Sequence, residues 1–71
     1  MTIFVVIQQY YEDVVDIQAC SDINKAIEYI HKQYNNQYPN KPATLEAVSA
    51  SVKKLGGFSE WDVHNKILDN I

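Results

Sequence analysis

The first apolar run of the chain, from Ile3 to Ile7, is apolar at odd and even positions alike. A strand with one face in water alternates apolar and polar residues, so this run predicts a strand, over residues 2–11, that is covered on both faces. Residues 14–21 do alternate, and they predict a second strand with one covered face. The two strands form a hairpin through the sequence YYED, residues 10–13.

The length of this turn decides which side chains share a face of the sheet. Glu-Asp lacks the glycine or asparagine that a two-residue turn favours, so the sequence favours a longer turn, from Tyr11 to Val14, that pairs Tyr10 with Val15. One face then carries Phe4, Val6, Tyr10, Val15, Ile17 and Ala19. The other face carries Ile3, Val5 and Ile7, bordered by Asp16, Gln18 and Cys20. If the loop were one residue longer or shorter, the residues of the first strand on these two faces would change places.

Two later segments have apolar residues at three- and four-residue spacing, which predicts helices. The first, about residues 22–35, follows Ser21 as a predicted N-cap and carries Ile23, Ala26, Ile27, Ile30 and Tyr34. The second follows Thr44, ends at Gly56-Gly57, and carries Leu45, Val48, Val52 and Leu55. The polar residues 35–43, which include two prolines, predict the loop between them.

Residues 58–67 fit two interpretations. Trp61, Val63 and Ile67 alternate with polar residues as in a strand, whereas Ser59 followed by Asp62 resembles the start of a helix. A strand is preferred because a two-stranded hairpin needs a third strand for stability. The predicted fold is therefore α+β, a three-stranded antiparallel sheet with two helices in the order β-β-α-α-β, and residues 1–71 are expected to form a single compact domain.

Composition narrows the classes of function. The net charge is −3, with six Lys and no Arg, and this balance argues against nucleic-acid binding. Cys20 is the only cysteine, as expected of a protein in a reducing compartment. The early residues have neither the basic start of a signal peptide nor an apolar run long enough to span a membrane. A cytoplasmic location without membrane contact is expected.

Residues that carry catalytic or metal chemistry are sparse. Cys20, His31 and His64 lack the close spacing of a zinc site, and the chain has no glycine-rich phosphate loop. A helix-turn-helix with Gly56 as its turn glycine would need apolar residues at the positions of Asp62 and Asn65. The sequence therefore predicts a protein that is not an enzyme and that uses no metal or cofactor, with DNA binding as a weaker alternative.

Aromatic side chains are the more promising chemistry. Five Tyr, one Trp and two Phe occur in a chain of 71 residues, and Tyr and Trp dominate binding hot spots. Adjacent strand residues face opposite ways, so Tyr10 or Tyr11 must point outward. The candidate partner-binding residues are Tyr10, Tyr11, Glu12, Asp13 and Tyr38.

The segments QYYEDVVDI, CSDINKAIEYI and SEWDV resemble small uncharacterised phage-type proteins with a strand, a YYED-like turn, a strand, a helix and an acidic strand. The resemblance covers residues 3–31 and 58–64, and it implies a fold and a mobile-element setting. The function hypothesis is a non-enzymatic protein-binding module, encoded by a phage or mobile element, that inhibits a host or anti-phage defence protein in the host cytoplasm by occupying its surface. A structural homo-oligomeric subunit is the alternative.

The second face of strand 1 bears on that alternative. The first helix is expected to cover the face that carries Phe4 and Val6, through Ile23, Ile27 and Ile30. Ile3, Val5 and Ile7 would then be covered either by the second helix or by another chain. A loop of roughly eight residues favours neighbouring helices on one face. The sequence therefore predicts a homodimer that associates through Ile3, Val5 and Ile7.

Overall fold

The computed structural model describes residues 2–67 as a sheet with helices on one side. The elements are β1 (Thr2–Tyr10), β2 (Asp13–Cys20), α1 (Ile23–Gln37), α2 (Leu45–Leu55), β3 (Gly57–Phe58) and β4 (Trp61–Ile67). The strands form one antiparallel sheet in the spatial order β2-β1-β4-β3. The predicted α+β class with two helices is confirmed. The predicted count of three strands is wrong: within residues 2–67 there are four, in the order β-β-α-α-β-β.

The extra strand arises because residues 57–67 turn back on themselves. Gly57 pairs with Asp62 and Phe58 with Trp61, around a tight turn in which Ser59 has a φ of +55°. Gly57 permits this close pairing, since a Cβ there would lie only 2.5 Å from the Trp61 carbonyl oxygen. The alternative of a helix starting at Ser59 is wrong, because these residues form strands. The helix-turn-helix interpretation required a second helix at this place and is therefore also wrong.

The β1–β2 hairpin differs from the predicted register. Tyr10 pairs with Asp13 across a two-residue turn, and Val15 is an extra residue, a β-bulge, on β2. Tyr11, the first turn residue, has a φ of +57°, which allows the short turn without a glycine. The predicted four-residue turn and the predicted Tyr10–Val15 pair are therefore wrong.

Both helices have the kind of ends that the sequence indicates. The N-cap of α1 is Asp22, one residue after the predicted Ser21, and its side chain accepts a hydrogen bond of 2.9 Å from the Lys25 backbone N–H. For α2 the predicted N-cap is confirmed: Thr44 Oγ1 accepts a 3.1 Å bond from the backbone N–H of Ala47. Gly56 ends α2 with a φ of +79°, in the left-handed region that favours glycine.

The core lies between the sheet and the two helices. The buried apolar residues are Val6 and Trp61 from the sheet, and Ala26, Ile27, Ile30, Val48 and Val52 from the helices. The predicted cover of β1 by α1 is confirmed, because Ile27 and Ile30 are buried and Ile23 packs against them. Both helices contribute to this one core, so they share one side of the sheet.

Candidate functional site

The side of the sheet opposite the helices carries an apolar surface, which we call the open face. It consists of Ile3, Val5, Ile7, Ile17 and Ala19. None of these five belongs to the core, and Ile17 is 61% exposed. Within residues 2–67, neither helix lies over the open face, whereas monomeric proteins seldom leave a continuous apolar sheet surface uncovered.

One border of the open face is charged. Strand β4 places Asp62 beside Ile7 and Lys66 beside Ile3, with His64 between them beside Val5. All three polar side chains are exposed. The surface is therefore apolar along β1 and β2, and it carries one negative and one positive charge along β4.

The structure brings the predicted self-association residues Ile3, Val5 and Ile7 together, but it changes their neighbours. Ile7 pairs with Ile17 and Val5 with Ala19, so β2 adds apolar residues to this face. The predicted border of Asp16, Gln18 and Cys20 is wrong, since these residues lie on the helix side, where Asp16 accepts a hydrogen bond from the Tyr29 hydroxyl. Ile17 and Ala19 share this face because the bulge at Val15 shifts the register by one residue, so that odd-numbered residues of β2 lie opposite odd-numbered residues of β1.

The tip of the hairpin carries a second candidate surface, the tyrosine–acid turn, formed by Tyr10, Tyr11, Glu12 and Asp13. The rings of Tyr10 and Tyr11 meet edge to face with centroids 4.6 Å apart. Tyr10 is 49% exposed and Tyr11 is 88% exposed. A positive φ is uncommon for an aromatic residue and costs about 1–2 kcal/mol, so the hairpin holds Tyr11 outward at a cost to folding.

Tyr38, the fifth predicted binding residue, lies close to this turn but uses its hydroxyl inside the fold. Tyr38 Oη donates a 2.8 Å hydrogen bond to Glu60 Oε2, and this bond, with a smaller effect from nearby Tyr10, raises the pKa of the Tyr38 phenol. Its ring packs on Tyr34 and Trp61. The structure therefore gives Tyr38 contacts inside the fold, unlike the exposed residues of the tyrosine–acid turn.

A polar network behind Tyr38 was not found from the sequence. Gln8, which is only 3% exposed, donates through Nε2 to Glu60 Oε1 at 2.6 Å and to Gln37 Oε1 at 2.8 Å. Glu60 thus joins Tyr38 to the central strand, and the backbone N–H of Gln9 donates to its carbonyl at 2.9 Å. Buried polar groups need such partners, so the network fixes the base of the hairpin. A glutamine within an apolar strand was the available signal.

The residues with nucleophilic or metal-binding chemistry lie apart. Cys20 is half-buried on the helix side, and burial raises the pKa of its thiol, which opposes formation of the reactive thiolate. His31 lies on α1, whereas His64 lies on the open side of the sheet. Among residues 2–67, no three His, Cys, Asp or Glu side chains are grouped closely enough to hold a metal ion.

The helices form an open groove of about 630 Å³ on the far side of the molecule. Its lining mixes apolar Ile27 and Leu45 with Glu28, Glu46 and Lys53.

Comparison with protein-family models, with curated proteins and with solved structures found no match. No helix in the described part of the chain is long and apolar enough to cross a membrane.

Proposed function

We propose that this protein is a non-enzymatic protein-binding module that contacts its partner through the tyrosine–acid turn. The observation that carries the proposal is Tyr11, whose ring is 88% exposed while its backbone holds a φ of +57°. Neither feature stabilises the fold, because the exposed ring gains little from burial and the positive φ has a steric cost that a glycine would avoid. A side chain kept in this state at the tip of a hairpin is typical of a binding anchor.

The chemistry of the turn indicates a basic partner surface. Glu12 and Asp13 are exposed beside the two tyrosine rings. A guanidinium group can stack on a tyrosine ring and also form two hydrogen bonds to a neighbouring carboxylate. The net charge of −3 adds long-range attraction to such a partner. An arginine-rich protein surface is therefore the occupant that fits this turn.

The proposed mode of action is to occupy a surface of the partner protein. A protein that blocks another protein's surface needs a rigid anchor and a complementary charge, and it needs no catalytic group. The resemblance of QYYEDVVDI and SEWDV to phage-type proteins supports the setting of a phage or mobile-element accessory protein. In that setting the module inhibits a host or anti-phage defence protein by covering its functional surface.

The test is a pulldown from host lysate followed by affinity measurement on the purified partner. The variant Tyr11→Ala with Glu12→Lys removes the anchor and reverses one charge, so its affinity should fall by a few kcal/mol, the scale of an interface hot spot. The matched control is Leu45→Ala with Glu46→Lys, which makes the same kinds of change at exposed positions on α2.

The control should bind like the wild type, and both variants should keep the circular dichroism of the wild type. A folded Tyr11→Ala, Glu12→Lys variant with unchanged affinity would remove the tyrosine–acid turn from consideration.

The open face supports a second candidate function, that of a self-associating subunit.

A further inference from the structure

We propose that the open face docks a second copy of this chain, face to face, around a two-fold axis that crosses the strands at the level of Val5. This proposal is independent of the tyrosine–acid turn, which lies at the hairpin tip. It rests on the pattern of apolar and charged side chains that the strand register fixes on one face.

The apolar part of the face determines that something should cover it. Ile3, Val5 and Ile7 lie on the central strand β1, and Ile17 and Ala19 extend the same surface onto β2. Burial of β-branched side chains from water is favourable, and two sheets pack well through such faces at a separation of about 10 Å. A second sheet of the same kind is thus a suitable cover.

The charges on β4 determine the direction of the axis. If the axis ran along the strands, the charged row of β4 would lie over the apolar row of β2 in the second copy. Asp62 would then face Ile17 and be desolvated without a partner, which is costly. An axis across the strands avoids this, because each strand then lies over its own equivalent, running in the opposite direction.

With that axis at the level of Val5, the two charges complement each other. Asp62 and Lys66 lie one strand repeat on either side of His64, the residue paired with Val5. The two-fold rotation therefore places Asp62 of each copy opposite Lys66 of the other, and Ile3 opposite Ile7. Both ion pairs lie at the border of the apolar region, where charges direct orientation without being fully buried.

This self-complementarity favours a second copy over an unrelated partner. An unrelated surface would need an apolar stripe with a cation and an anion at the same spacing and in reversed order. The chain's own open face already meets these requirements, and a two-fold axis uses each of them twice.

The experiment measures self-association by sedimentation equilibrium on the full chain, from about 1 μM to about 1 mM, the range of weak and moderate dimers. Asp62→Lys and Lys66→Asp each place like charges opposite each other at two positions. Each single variant should weaken the dimer at least about tenfold. The double variant with both changes restores opposite charges and should recover the wild-type constant to within about threefold.

The matched control is Glu46→Lys on α2, which has the same change in charge as Asp62→Lys but lies on the helix side and should leave the dimer unchanged. Val5→Asp, at the axis, should give a monomer, and thermal unfolding checks that it still folds. Because all the charge variants are at exposed positions, the test does not depend on the Val5 variant.

Three results would overturn the proposal. The first is a wild-type chain that stays monomeric at about 1 mM. The second is a dimer that both single charge variants form as strongly as the wild type. The third is a double variant no stronger than the single ones, which would show that Asp62 and Lys66 do not face each other.

Discussion

The side-chain nitrogen of Gln8 donates a 2.6 Å hydrogen bond to Glu60 Oε1, so the buried centre of β1 is tied to the turn between β3 and β4. Gln8 is almost fully buried, and a second bond joins it to Gln37. The effect of replacing Gln8 on the free energy of unfolding therefore depends on what happens to the groups that it bonds.

Gln8→Leu should lower the free energy of unfolding by about 1–3 kcal/mol, because half-buried Glu60 would lose its Gln8 donor and the bond from the sheet to Gln37 would be lost. The measurement is urea unfolding followed by tryptophan fluorescence. Gln18→Leu is the matched control, since Gln18 is exposed and its side chain donates to the neighbouring Ala19 carbonyl. Equal effects of the two changes would contradict a structural role for the network.

Tyr11→Gly should separate stability from binding. Glycine adopts positive φ without the steric cost that Tyr11 bears, so the free energy of unfolding should rise by about 0.5–1 kcal/mol. Partner affinity should fall in the same variant because the anchor ring is gone. Tyr10→Gly, at a strand position, should instead lower stability. A loss of stability in Tyr11→Gly would show that the ring contributes more to folding than its exposure indicates.

Tyr29 should make stability depend on pH above about 10, the pKa of tyrosine in an unfolded chain. Burial, and then the hydrogen bond to Asp16, raises the pKa of Tyr29 to about 12 in the folded protein. The folded state therefore retains a proton that the unfolded chain has lost. This contribution to stability is complete below pH 10 and declines as pH rises towards 12.

The measurement is the urea midpoint between about pH 9 and pH 12, compared with Tyr29→Phe. The phenylalanine variant should lose less stability across this interval, although Tyr38, whose pKa is also raised, contributes in both proteins. Identical slopes for the two proteins would rule out a Tyr29 contribution.

Gly57→Ala should destabilise the fold more than Gly56→Ala. At Gly57 the new methyl group would lie 2.5 Å from the Trp61 carbonyl oxygen and 2.8 Å from a carboxylate oxygen of Asp62, so β3 must move. At Gly56 no atom lies within 4 Å, and only the φ of +79° opposes alanine, at about 1 kcal/mol. Thermal unfolding of both variants measures the difference. The opposite order would show that β3 can shift without loss.

Local features of the fold were readable from the sequence, whereas the pairing of strands was only partly so. The second helix was predicted with both of its ends, because Thr44 and Gly56 act within one turn of the residues they cap. The hairpin register depends on Tyr11 tolerating a positive φ and on the bulge at Val15, and neither leaves a signal in residue type. One residue of error there exchanged the faces of β2.

The same reason limits what the sequence could say about the candidate site. The four residues of the tyrosine–acid turn are consecutive, so they could be predicted as a group. Gln8 and Glu60 meet across 52 positions of the chain, and no spacing rule links them. The β3–β4 turn that brings Glu60 to this place follows from the close fit at Gly57, which depends on tertiary contacts.

The bulge at Val15 also affects how far association can proceed. Strand β2 is an edge of the sheet, and a regular edge would offer an unbroken row of backbone donors and acceptors to another chain. The extra residue interrupts that row. Addition of another strand to the β2 edge, the route to fibrils, is therefore disfavoured. The proposed contact through the open face, by contrast, closes after two copies.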